Sequence, residues 1–166
     1  MSPIHQTARM AARTDVGIAA RAFLALPVGL VTTALTLVGR PAHAARLRAR
    51  VLGAEGAAGG WTAGRLLTRT LLGGPLDAAV FALLAYALFN SARNFAYPLW
   101  YLDTDYHQAW GGPTMAGVWT VHATGWLLCL ALLLHWPVRW LARGQRALDR
   151  RLAPAVLGHV SAGSRG

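Results

Sequence analysis

The chain has 166 residues, 55% of them hydrophobic and 13% charged, whereas an ordinary soluble domain is about a quarter charged. The formal charge is +10 and every basic residue is Arg, with no Lys; because these arginines flank apolar runs, the balance argues for an anionic membrane as partner and against nucleic acid. The single cysteine, Cys129, lies inside an apolar run, which excludes an intrachain disulfide framework or a zinc cluster.

Residues 1–14 carry Arg9 and Arg13 without an apolar period. The first apolar run, Ala22 to Val38, is uncharged but short against the roughly 20 residues a spanning helix needs. Arg21 can snorkel at its start, and Pro27-Val28-Gly29 can kink it or let it dip into the bilayer and return. Spanning and re-entry both remain open. Arg, an apolar run and Ala42-His43-Ala44 stand in signal-peptide order, but the run is long for a cleaved signal of about 7–15 apolar residues.

A basic stretch of helix-forming composition follows from Arg40 to Gly53, and 54–60 reads as a Gly-rich linker. Trp61 to Leu72 is expected to form a short helix on the membrane surface, with Arg65 and Arg69 on one face. Gly73-Gly74-Pro75 is expected to break it and start the next helix, with Asp77 at the positive end of the new dipole. The second apolar run, Leu76 to Phe89, is rich in Ala, which permits close helix approach in lipid. Asn90, Arg93 and Asn94 mark its polar end, before Pro98.

Aromatic and polar residues then crowd together up to His122, as suits the water–lipid boundary. Trp110-Gly111-Gly112-Pro113-Thr114 predicts a tight turn into a helix capped by Thr114. The third apolar run, Met115 to Trp136, has no charge, matches one bilayer crossing and ends at Pro137. Its stripe of Ala116, Thr120 and Thr124 suggests a face toward the Ala-rich second helix. From Arg139 to Leu152 a basic amphipathic helix carries Arg143, Arg146, Arg150 and Arg151.

Six arginines from Arg40 to Arg69 and six after Trp136 flank a loop holding only Arg93 beside Asp103 and Asp105. The positive-inside rule therefore puts both basic segments, including the C-terminal one, in the cytoplasm and the aromatic loop outside. The expected fold is an all-α, multi-pass protein of the plasma membrane. It has one transmembrane hairpin, a marginal first membrane segment and cytoplasmic amphipathic helices. The organisation reads as 1–53, a shortened first half; 54–60, the linker; 61–158, the hairpin with its amphipathic helices; and 159–166, a tail. Leu47-Arg48-Ala49-Arg50-Val51-Leu52-Gly53 echoes Leu152-Ala153-Pro154-Ala155-Val156-Leu157-Gly158, a weak internal repeat.

Tyr97-Pro98-Leu99-Trp100-Tyr101, Tyr106-His107, Trp110 through Trp119, and Val121-His122-Ala123 together resemble the sensor domain of actinobacterial membrane proteins. That domain often stands at the N-terminus of two-component histidine kinases. The resemblance runs from Trp61 to Gly158 and implies a sensor without its kinase, since the sequence after Gly158 is too short for a phosphoacceptor helix or an ATP-binding domain. A separate signalling partner or a homo-oligomer is then expected, and the alternative is a structural or accessory membrane subunit.

Asp103, Asp105 and His107 alternate in the loop, but three donors without a fourth are weak grounds for a metal site, and none is assigned. With Trp110 they are the candidate sensing residues above the membrane. His122 joins them, since an ionisable side chain about two turns into a membrane helix is a functional candidate. The blander reading gives His122 a hydrogen bond to Thr120, Asn94 or a backbone carbonyl, and the favoured reading is this one. Folding back of the loop would bring one of its carboxylates or His107 near His122. Arg65, Arg69, Arg143, Arg146, Arg150 and Arg151 are expected to face anionic lipid. No nucleophile elbow, phosphate loop or other catalytic constellation stands in the chain, so neither an enzyme nor a cofactor is expected.

Overall fold

The computed structural model describes residues 3–52, 61–101 and 103–152, with side chains from residue 16 onward. The linker at 54–60, the second Leu-Gly closure at 157–158 and the tail at 159–166 lie outside the described residues. The elements are α1 (Pro3–Leu37), α2 (Pro41–Leu52), α3 (Ala63–Phe95), the single turn α4 (Tyr97–Trp100), α5 (Met115–Leu133), a π segment (Leu134–Val138) and α6 (Arg139–Leu152). No strand occurs among the described residues. Three helical stretches, Val16–Leu37, Ala63–Phe95 and Met115–Leu152, are long and apolar enough to cross a membrane. Large apolar side chains such as Leu88, Phe89, Leu128 and Leu132 stand more than 60% exposed on them, a surface suited to lipid rather than water.

Each predicted break in the long helices is bridged. The chain does not turn back at Pro27-Val28-Gly29: α1 runs through Pro27. Gly73-Gly74-Pro75 does not end a surface helix either, because α3 is continuous from Ala63 to Phe95 with Pro75 inside it. Asp77 consequently stands in mid-helix, not at a helix start. At Pro137, where the third run was expected to stop, the helix instead widens into the π segment and continues as α6. One residue is accommodated there while the chain stays helical, as local π adjustment allows where a proline lacks its N–H.

The chain packs as two compact units, 1–23 with 79–142 and 24–78 with 143–166. The first has a core of Ala19, Ala22, Val80, Leu84, Val138 and Ala142, with Phe23 stacked on Phe81 at 4.5 Å. In α3 the inward residues are Val80, Leu84 and Ala87, a helical period of three to four, while Ala78, Ala79 and Ala82 are exposed. In α5, Val118 and Ala123 are buried. Ala116, Thr120 and Thr124 are exposed, so the small-residue stripe does not face α3. Two indole N–H groups set the register of the α3–α5 hairpin: Trp119 Nε1 donates to the Phe95 carbonyl at 3.1 Å, and Trp126 Nε1 to Ser91 Oγ at 2.9 Å.

The second unit has a core of Ala44, Ala45, Trp61 and Leu66, with Leu35 and Leu152 against it. Thr33 of α1 donates to Thr70 of α3 at 3.0 Å.

The hairpin loop is ordered by its own polar contacts. The Tyr106 hydroxyl donates to the Tyr101 carbonyl, and Gly112 N–H donates to the Ala109 carbonyl at 2.8 Å. Thr114 caps α5 as predicted, accepting from Gly117 N–H at 3.2 Å. Gly111 adopts φ +92°, a left-handed conformation that other residues rarely hold, and its carbonyl lies where a Cβ on Gly117 would stand.

Candidate functional site

Two polar constellations stand out among the described residues, one in each unit. In the second unit, charge is buried on α2, α3 and α6. Arg69 is 1% exposed and grips Asp77, itself two helical turns further along α3, with a two-pronged fork: Nη1 to Oδ2 at 3.0 Å and Nη2 to Oδ1 at 3.1 Å. Its Nε donates to Asp149 of α6. Arg48 of α2, 2% exposed, reaches the same Asp149 oxygen at 2.7 Å and lies over the Trp61 ring. Gln145 of α6 donates to Asp77 Oδ1 at 2.9 Å.

Two guanidinium groups thus face two carboxylates, and the cluster is formally neutral, which is what makes its burial tolerable. Glycine creates the path between Arg69 and Asp77. A Cβ on Gly73, one turn beyond Arg69, would collide with that guanidinium, standing 2.6 Å from its Cζ. On the other side Gly29 of α1 passes Asp77, and a Cβ there would stand 4.0 Å from Oδ2. Burial pushes the Arg48 guanidinium below its usual range, against the pull of Asp149.

Arg69 is therefore not a lipid-facing arginine, and the pairing of Arg65 with Arg69 on one exposed face does not form. Arg65, Arg143, Arg146, Arg150 and Arg151 are exposed. Sequence reasoning missed Arg48, Asp77, Gln145 and Asp149 as partners. One signal was available: Arg69, Gly73 and Asp77 recur at intervals of four, one helix face with a glycine in the middle.

In the first unit a cleft of about 330 Å³ opens among Asn90, Arg93, Asn94, Tyr97, Tyr101 and His122. Asn90 and Asn94 each donate their amide Nδ2 to the carbonyl four residues back, at 2.9 and 2.8 Å. Arg93 Nη2 donates to the Tyr101 hydroxyl at 3.3 Å. Tyr97 forms a wall by stacking on Tyr101 at 4.4 Å and on the His122 ring at 4.9 Å. Burial pushes the Tyr97 phenol up from its ordinary value, so it stays a neutral hydroxyl. His122 Nδ1 lies 2.9 Å from the Val118 carbonyl, the backbone partner of the blander reading.

The predicted loop residues do not join His122. Asp103, Asp105 and His107 are exposed and are absent from the lining of the cleft. Asp105 Oδ1 accepts from His107 N–H at 2.9 Å, a local turn. Trp110 is 84% exposed. No group of three or more His, Cys, Asp or Glu side chains suited to a metal occurs among the described residues. The cleft's other lining residues were visible as a polar helix end but not as a site, although Asn90, Asn94, Tyr97 and Tyr101 follow one another around a helical face.

Compared with known protein families, curated proteins and solved structures, the chain matches none.

Proposed function

We propose that this protein is a signal-input module of the cytoplasmic membrane that acts through a separate signalling partner. The carrying observation is the cleft: Asn90, Arg93 and Asn94 of α3, Tyr97 of α4 and Tyr101 just after it meet His122 of α5. An ionisable side chain inside a membrane helix, as His122 is in α5, is a functional candidate, and here it opens on a polar cleft. The resemblance of 97–123 to the sensor domain of actinobacterial membrane proteins points the same way. So does the run of helix from Met115 to Leu152 without a break, which would carry a tilt of α5 into α6.

In this reading the aromatic loop is outside, and α2 and α6 are cytoplasmic, where their arginines meet an anionic leaflet. A photo-crosslinking side chain at Arg143, exposed on α6, tests the proposal in native membranes. Capture of a kinase or other phosphotransfer protein is expected. A fixed complex with proteins lacking any signalling domain would replace this reading with that of an accessory subunit.

A further inference from the structure

We infer that the cleft binds a small zwitterion carrying both a carboxylate and an ammonium group, as a free α-amino acid does. This rests on the signal-input reading and names the class of input.

Both asparagines spend their Nδ2 on helix carbonyls, so each turns its Oδ1, an acceptor, away from the helix backbone. Val118 offers His122 a carbonyl, which can only accept, so Nδ1 carries the proton. In the neutral ring that leaves Nε2 with the lone pair. The lining residues therefore offer three acceptors, two tyrosine hydroxyls and one cation, Arg93.

A simple anion would satisfy Arg93 but face three acceptors. A simple cation, or a metal ion, would suit the acceptors but meet Arg93 and no carboxylate from the lining. A molecule with both charges satisfies the whole set. Its carboxylate takes the planar fork of Arg93, with the Tyr101 hydroxyl beside it. Its ammonium, with three donors, takes Asn90 Oδ1, Asn94 Oδ1 and His122 Nε2. The ring edges of Tyr97 and Tyr101, whose faces stack on each other, are left for an apolar side chain. The volume, about 330 Å³, stands at the small end of ligand pockets, which run from about 300 to 1,000 Å³.

The test uses the full chain in lipid nanodiscs and calorimetry with glycine, L-leucine and L-glutamine. Two fragments of leucine accompany them: 4-methylpentanoate, which lacks the ammonium, and 3-methylbutylamine, which lacks the carboxylate. At least one amino acid should bind saturably. Where leucine binds, each fragment should bind at least about tenfold more weakly, as expected for loss of a charged hydrogen-bond set. Arg93→Gln should weaken the binding by a similar factor, and Asp103→Asn, outside the cleft, should leave it unchanged. Arg93 is exposed, so the variant should fold; an unchanged elution volume of the nanodisc-embedded variant checks this. The inference is overturned if none of the three amino acids binds, if 4-methylpentanoate binds as well as leucine, or if Arg93→Gln binds like the wild type. Amino-acid binding with no effect on cross-linking at Arg143 would uphold the site and remove the signal-input reading. A partner response without amino-acid binding would do the reverse.

Discussion

Substituting Gly73 by alanine should destabilise the protein, although the same change inside most helices does the opposite. Alanine in a helix interior normally gains roughly 0.5–1 kcal/mol over glycine. Here the new methyl would occupy the space of the Arg69 guanidinium, 2.6 Å from Cζ, with Leu148 Cδ2 at 3.0 Å on the other side. Arg69 is 1% exposed and fixed by bonds to Asp77 and Asp149, so it cannot swing into solvent. Its withdrawal breaks a buried ion pair, which costs about 3–5 kcal/mol. Subtracting the helix gain leaves a net loss of about 2–4 kcal/mol. Thermal unfolding in detergent should show it, with Gly64→Ala as control, since nothing lies within 4 Å of a Cβ at Gly64 in the same helix. A double-mutant cycle assigns the cause. Once Arg69 is methionine, adding Gly73→Ala should cost almost nothing. A Gly73→Ala protein as stable as the control, or a penalty that persists without Arg69, would refute the reasoning.

Arg69→Met should cost more than Arg48→Met. The first leaves Asp77, 3% exposed, with Gln145 as its hydrogen-bond donor in the cluster. The second strands only Asp149, which is 26% exposed and keeps Arg69. Losses of about 3–5 kcal/mol and less than about half that are expected in the same unfolding assay. For topology, cysteines at Gln108 and at Arg143 in a Cys129→Ala background should label from opposite sides, Gln108 in intact cells and Arg143 after lysis; the reverse pattern would overturn the orientation. Gln145, near Arg143 in sequence, does not serve as a labelling position because it is 5% exposed.

The all-helical character and the three apolar stretches were legible in the chain, because hydropathy and run length are properties of consecutive residues. So was the Thr114 cap, a contact within one turn. Helix breaks were misjudged where a proline or glycine signal competes with packing. Pro75 and Pro137, each expected to end a helix, lie inside continuous helix, as does Pro27, where a kink or a return was left open; neighbouring turns and local π adjustment re-satisfy the backbone groups that a missing N–H frees. Which arginines stand exposed was beyond the sequence. Arg65 and Arg69 are one turn apart, and the first is exposed while the second is buried on carboxylates from positions 77 and 149. The cleft tells the same story: Asn90, Arg93 and Asn94 announce a polar helix end, yet His122 joins them through a hairpin register set by two indole N–H groups. Periodicity reports one helix at a time. Pairing between helices depends on side-chain reach across the fold, and only the tertiary structure decides it.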